Sequence, residues 1–283
     1  MTDPLPPRDS LLAPDDNRLM FDRIAARYDL LNAVLSLGLH RRWRRLAIAA
    51  LAPQPNGRYL DVGAGTGDLS LELLRVCPSS RLVALDPAAH MLLLAHVKLT
   101  RAGFPPSSST ASSAPSAPST APSSSPTACG FASLSSPPDP SLRDSASFPP
   151  ILLVTGASDP TLPSRSFEGF VSAFVLRNIA DRSTALTNLR RLLVPGGRAV
   201  FLDLTIPASP LLRLSHRLYT RLLFPPLGRL LSGSAAAYRY LADSVQHFPP
   251  AAEILSSLAA AGFVNPRAVP LSGGLVTLFL ASA

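Results

Sequence analysis

Three glycines at alternate positions, Gly63, Gly65 and Gly67, punctuate the segment LDVGAGTGDL from Leu60 to Leu69. A Cβ at such positions would hold a ligand away from the main chain, so the glycines mark a turn where backbone approaches a bound molecule closely. Asp68 and the apolar residues after it open a helix. Backbone N–H groups at a helix N-terminus suit an anionic group, here the carboxylate end of an amino-acid-like ligand. Thr66 adds a hydroxyl beside them. Asp86 follows Gly67 by nineteen residues, about where a carboxylate can accept hydrogen bonds from ribose hydroxyls. By itself, an Asp before a proline such as Pro87 reads as a cap or turn residue. The spacing also excludes a chemistry. The dinucleotide fingerprint needs G-x-G-x-x-G, and Asp68 stands at its third glycine, which disfavours hydride transfer.

These residues need a scaffold, and the surrounding pattern supplies one. Tyr59–Val62 reads as a buried strand and Leu69–Val76 as a helix. Arg81–Asp86 is a strand and Ala88–Arg101 a helix. Ile151–Thr155 and Gly169–Phe174 are strands, Arg182–Leu193 is a helix stopped at Pro195-Gly196-Gly197, and Arg198–Leu204 is a strand. Such alternation predicts a parallel sheet with helices on both faces. Ala251–Ala261 is a helix stopped by Gly262, and Val264–Leu271 and Leu275–Ala281 form a hairpin that brings the last strand in antiparallel. In such sheets ligands bind beyond the carboxyl ends of the strands. Arg177 and Asn178, after the strand Gly169–Phe174, therefore face the cleft mouth if the register holds; a surface ion pair and a helix cap are the alternative.

Residues 105–150 differ in kind: 37 of these 46 are Pro, Ser, Ala or Thr, too few apolar side chains to offset the entropy of ordering. They read as a disordered insertion in a surface loop of one domain, 19–283, behind a flexible tail, 1–18. The formal net charge is +8, nearly all of it Arg, because Lys98 is the only lysine. A basic surface suits nucleic acid, anionic lipid or an acidic substrate. No N/D-P-P-Y/W motif or catalytic Cys motif of nucleic-acid methylation is present, so no nucleic-acid partner is expected. Cys77 and Cys129 have no metal-ligand spacing, so no metal is expected. The N-terminus, with four Asp in its first sixteen residues, is neither a signal nor a transit peptide. No apolar run approaches the ~18 residues of a spanning helix. The expectation is a cytoplasmic protein, open to peripheral contact at the inner face of the cell membrane. From Leu211 to Leu223, leucines at 214, 218 and 222 and arginines at 213, 217 and 221 recur every four residues. That is a basic amphipathic helix, suited to a membrane surface, to covering an apolar channel, or to ordinary packing.

The D-x-G-x-G-x-G form resembles the S-adenosylmethionine (SAM) loop of Rossmann-like methyltransferases. Three further blocks make the resemblance specific: FDRIAARYDLLNAVLSLGLHRRWRR (Phe21–Arg45), LRNIADRSTALTNLRRLLVPGGR (Leu176–Arg198) and SAAAYRYLADSV (Ser234–Val245). With the loop they resemble the UbiE/COQ5 family, the C-methyltransferases of menaquinone and ubiquinone synthesis. The likeness spans nearly the whole chain outside 1–18 and 105–150.

The resemblance implies a class I SAM methyltransferase: a Rossmann-like α/β fold with a seven-stranded, mostly parallel sheet, its last strand antiparallel, and a helical cover near the substrate. It implies SAM as methyl donor, held by Gly63, Gly65, Thr66, Gly67, Asp86 and the turn Ala157–Ser158. Many SAM enzymes carry an acidic or amide residue at that turn for the adenine amino group; here the position holds Ala157, so either backbone groups of Ala157 and Ser158 or the side chain of Asp159 must serve. Ala173 stands where the family often has Ser. By similarity Arg177, Asn178 and Tyr28 are the catalytic candidates. Arg177 is a permanent cation, better suited to stabilising a phenolate than to taking a proton. The implied substrate is a prenylated hydroquinone, demethylmenaquinol before the ubiquinone-pathway benzoquinol. A homodimer is compatible with the sequence. A non-catalytic SAM-binding or assembly subunit is the alternative from another class.

Overall fold

The computed structural model describes residues 14–107, 148–159, 161–207, 209–214 and 244–283. The elements in chain order are α1 (Pro14–Leu35), α2 (Leu39–Leu51), β1 (Arg58–Val62), α3 (Asp68–Val76), β2 (Arg81–Leu85), α4 (Ala89–Arg101), β3 (Ile151–Leu153), β4 (Phe167–Ala173), α5 (Arg182–Leu192), β5 (Leu193–Leu204), α6 (Ala251–Ala260), β6 (Val264–Leu271) and β7 (Val276–Ser282). Seven strands form one sheet in the order β3-β2-β1-β4-β5-β7-β6. β7 runs antiparallel to both neighbours, and the other pairs are parallel. The parallel strands follow the alternating pattern and the antiparallel β7 follows the terminal hairpin; together they make the class I SAM methyltransferase arrangement that the family resemblance implies.

Alternate strand residues point to opposite faces, and the two faces bury separate clusters. Tyr59, Leu82, Ala84, Val171, Val200 and Leu202 meet α2, α3 and α4 through Ile48, Leu73 and Ala95. Leu60, Val62, Val83, Phe170 and Phe201 meet α5 and α6 through Leu189 and Leu258. Three aromatics, Phe170, Phe201 and Phe263, pack edge to face on the second side, with centroids 5.0–6.4 Å apart. Such pairs add about 0.5–1.5 kcal/mol each beyond burial.

Three expectations shift. The sequence places a helix stop at Pro195-Gly196-Gly197, but α5 ends at Leu192 and β5 already begins at Leu193. A bulge opposite Phe167 and Gly169, with Gly196 at φ 77°, carries the strand through the turn residues. The strand after β2 keeps only three residues. The tail drawn at 1–18 overlaps a helix, because α1 starts at Pro14. Residues 1–13, most of the insertion 105–150, the Arg-rich helix beyond Leu214 and the block Ser234–Val245 up to 243 lie outside the described residues.

Strand order reverses direction at β1, since the chain winds β1-β2-β3 one way and β4-β5 the other. The crevice above such a switch point is where open α/β sheets bind ligands. β1, β2, β3 and β4 all end there, which carries the loops after them to one place.

Candidate active site

A cavity of about 650 Å³ opens above these strand ends, within the ~300–1,000 Å³ typical of small-molecule sites. Gly63 and Gly65 after β1, Asp86 after β2, Thr155 to Asp159 after β3 and Phe174 after β4 line it, and α1 adds Asn17, Phe21 and Tyr28. The glycine loop is left-handed at all three glycines, with φ of 70°, 56° and 79°. A Cβ on Gly63 would come within 2.3 Å of the Val175 side chain. On Gly67 it would meet Ala95 of α4 at 2.9 Å. Gly67 is therefore required by helix packing, and it does not line the cavity. Gly65 is open, with only the Tyr28 ring 3.9 Å away.

Asp86 is 8% exposed and accepts two backbone hydrogen bonds, from Gly65 N–H at 2.8 Å and Ala88 N–H at 2.8 Å. It ties the glycine loop to the start of α4 and still has a lone pair on each oxygen for ribose hydroxyls. Burial pushes its carboxyl up to about 6, against the pull of those two N–H groups. Asp61, at the end of β1, is more extreme. It is fully buried, Ser70 donates to its Oδ2 at 2.6 Å, and its Oδ1 has no partner. Burial raises it to about 7. It lines a narrow annex of about 20 Å³ with Gly63, Gly65, Tyr28 and Phe174. An orphaned buried carboxylate oxygen calls for a donor or cation. Asp61 is the first residue of the D-x-G-x-G-x-G form and the one charged residue inside the apolar run YLDV, but the motif alone assigns it no contact.

Of the two groups expected to serve the adenine turn, the Asp159 side chain is engaged within its own loop. Asp159 turns back on its own loop: Thr155 Oγ1 donates to its Oδ2, and Thr161 donates to its Oδ1 through N–H at 2.8 Å and Oγ1 at 2.6 Å. Those hydroxyl and N–H donors outweigh burial and hold the carboxyl below the usual carboxylate range. Asn188 on α5 fixes the turn from below, donating to the carbonyls of Ala157 at 2.8 Å and Asp159 at 2.9 Å. Ala157, Ser158 and Asp159 all line the cavity.

Thr66 is 3% exposed and faces away from the large cavity. Its hydroxyl donates to Asp29 Oδ1 at 2.5 Å and accepts from Lys98 Nζ at 3.1 Å.

Arg177 departs most from its expected place. β4 ends at Ala173, and Phe174 reverses the chain at φ 64°, a strained value for an aromatic residue. A single 3-10 turn, Leu176–Asn178, follows. That turn sends Arg177 inward and Asn178 outward. Arg177 is 5% exposed and pairs with the fully buried Asp203 of β5, Nη1 to Oδ1 at 2.6 Å, while its own N–H donates to Oδ2 at 3.2 Å. Its guanidinium carbon lies 5.7 Å from the centroid of Phe174. Arg177 therefore supports the wall instead of facing the cleft mouth. Asn178 lines the cavity, and its side chain donates to the Phe174 carbonyl at 3.2 Å. Tyr28 lines both cavity and annex and packs edge to face on Phe21.

Asn17 belongs to the site, although composition places it in the tail. It lines the cavity, donates to the Asn178 carbonyl at 3.4 Å and leaves its own Oδ1 buried without a partner.

The residues present fit SAM on two observations. Asp61 Oδ1 is an orphaned anionic oxygen suited to an α-ammonium. The open Cα face of Gly65 is a cradle that a side chain would fill.

Comparison with known proteins agrees. The model of the ubiE/COQ5 methyltransferase family matches residues 15–124 and 143–282. The break between those segments falls inside the Pro/Ser-rich stretch. The ubiquinone/menaquinone biosynthesis C-methyltransferase UbiE of Syntrophotalea carbinolica is 35% identical over 93% of this chain and 92% of its own. The demethylmenaquinone methyltransferase of Deinococcus radiodurans is 37% identical over 86% of this chain and 83% of its own. Among solved structures, the [4+2]-cyclase SpnF aligns with a TM-score of 0.59 at 13% identity, over 96% of each chain. A SAM-dependent methyltransferase of Thermotoga maritima aligns at 0.56 and 14% identity, over 94% of this chain and 99% of that one. Those two likenesses speak to the fold. The chain belongs to the ubiE/COQ5 methyltransferase family and is a SAM-dependent methyltransferase.

Proposed function

We propose that the protein methylates a ring carbon of a prenylated hydroquinone, demethylmenaquinol in the first place. One observation carries the choice of ring: relatives named demethylmenaquinone methyltransferase align over 86% of this chain at 34–37% identity. The relatives named UbiE carry both quinone pathways in their names, so the benzoquinol of the ubiquinone pathway is the second reading.

SAM supplies a methyl group made electrophilic by its sulfonium. With SAM bound, the ring carbon of the hydroquinone would provide the electron pair for the new C–C bond, the C–S pair would stay with sulfur, and the ring proton would pass to water. An ionised hydroxyl makes that carbon a stronger nucleophile. The chain's part is to hold the ring carbon in line with the methyl group, which is positioning catalysis. Phe21, Tyr28, Met91, Phe174 and Ile179 supply an apolar wall for a ring. Tyr28, Asn178 and the unpartnered Asn17 Oδ1 supply polar groups for its hydroxyls. Arg177 enters as a positioning residue: its pair with Asp203 fixes the turn that aims Phe174 and Asn178.

The test gives purified protein SAM and short-chain forms of both reduced precursors. Faster methylation of the naphthoquinol supports this reading. Preference for the benzoquinol moves the protein to the second.

The prenyl tail also favours work at a membrane surface. No described helix is long and apolar enough to cross a membrane. The turn between α1 and α2 exposes Leu37 at 79% and Leu39 at 37%, beside exposed Arg41, Arg42 and Arg45. Apolar tips flanked by cations suit anionic lipid. Co-sedimentation with anionic vesicles that survives unchanged in an R41Q/R42Q/R45Q variant would remove this surface from the proposal.

A further inference from the structure

The chain contains 26 basic residues, and only Lys98 is a lysine. Lys98 occupies a place where charge alone does not suffice. Its Nζ donates to Asp29 Oδ2 of α1 at 2.6 Å, to Thr66 Oγ1 of the glycine loop at 3.1 Å and to Asp68 Oδ1 at the start of α3. Three acceptors from three elements thus converge on one atom. An ammonium carries three donors on one nitrogen, whereas a guanidinium spreads its donors across a rigid plane.

The same cluster is closed on itself. Thr66 returns a hydrogen bond to Asp29, and Arg44 of α2 pairs with the other oxygen of Asp68. Two acids and two bases therefore balance. Burial would raise Asp68, but Arg44 and Lys98 outweigh it and hold the carboxyl below the usual carboxylate range.

The position matters for the reaction. Asp29 is the residue after Tyr28, and the Tyr28 ring covers the open face of Gly65. α1 also supplies Asn17 and Phe21 to the cavity. Asp22 of α1 makes a second tie to α4, accepting from His90 N–H at 3.0 Å and covering the helix start. Thr66, expected to touch SAM, spends its only hydroxyl proton on Asp29.

We propose that Lys98 is a positioning residue: it clamps α1 to the glycine loop, so that Tyr28 and Gly65 sit against each other in the wall of the cofactor cavity. Thr66 acts through this clamp. The proposal rests on SAM binding at the glycine loop and is independent of which quinol is methylated.

Calorimetry of SAM binding to the full chain tests it without any quinol. Lys98→Met should weaken SAM by roughly tenfold or more, about 1.4 kcal/mol. Lys98→Arg should fail to restore it, because charge without convergence is not enough. Hydrogen exchange should rise in α1 and the loop, while β4 and β5 keep their protection. The combination with Thr66→Val decides the role of Thr66. If both act through the clamp, the double variant is no worse than Lys98→Met; if Thr66 touches SAM directly, the two losses add. Full recovery in Lys98→Arg, or unchanged SAM affinity in a folded Lys98→Met, would overturn the proposal. Should Lys98→Met fail to fold, Asp29→Asn takes its place with the same expected loss of affinity. Loss of quinol methylation with normal SAM affinity would instead count against the assigned substrate or its site.

Discussion

Replacing Asp61 with Asn should stabilise the ligand-free protein and damage it as an enzyme. The carboxyl sits at about 7 in the fold, against about 3.9 for an ordinary Asp. Below pH 4 both folded and unfolded chains carry the proton, and Asp61 makes no difference. As pH rises towards 7 the unfolded chain releases it first, so the native state is progressively disfavoured. Above pH 7 the penalty levels off. The interval between the two values, at about 1.4 kcal/mol per pH unit, gives an upper bound of roughly 4 kcal/mol. Asn is isosteric, still accepts from Ser70 and carries no charge to bury. Thermal unfolding without SAM should therefore place the Asp61→Asn variant above wild type at pH 8, with less than half of that gap left at pH 5. Excess SAM should reverse the order, because only the carboxylate offers a charge to the ammonium. A variant that unfolds more easily than wild type at both pH values, or that binds SAM as tightly, would show that Asp61 neither strains the empty fold nor meets the cofactor.

Other perturbations test other parts. Arg177→Ala leaves Asp203 buried without its partner and should cost about 3–5 kcal/mol in chemical denaturation; an Arg177→Leu, Asp203→Leu double variant should recover much of that stability while quinol turnover stays low. Gly63→Ala forces a Cβ into Val175 at a left-handed backbone position and should lower SAM affinity at least tenfold in calorimetry; Val175→Ala in the same chain should return part of it. Asn188→Ala releases the adenine turn, so KM for SAM should rise several-fold with kcat little changed, measured by initial rates.

The fold was legible because its signals are local. YLDV followed by alternate glycines can hardly be anything but strand, turn and helix. Strand and helix alternate in the rest with the right spacing, and the hairpin at Ser272–Gly274 reveals the antiparallel β7. The site was legible only where sequence position fixes direction. Gly63, Gly65 and Asp86 follow directly from strand ends, and the structure brings them to one cavity. Arg177 did not, because one left-handed residue, Phe174, rotates everything after it. A positive φ at a non-glycine residue leaves no mark in a sequence. Asp61 and Lys98 were missed for another reason. Asp61 stands in the loop motif, but its burial with an unpartnered Oδ1 exists only in three dimensions, and the partners of Lys98 lie on separate elements, a convergence with no local pattern. Asn17 was lost to composition, since the Asp- and Pro-rich start reads as tail although its last residues open α1.

The decisive measurement for the proposed chemistry is transfer of labelled methyl from SAM to reduced demethylmenaquinone, followed by mass spectrometry of the isolated product. One label per quinol, carried on a ring carbon, is expected, with S-adenosylhomocysteine formed in equal amount. Label on a hydroxyl oxygen, or SAM bound tightly with no transfer to either quinol precursor, would be incompatible with it.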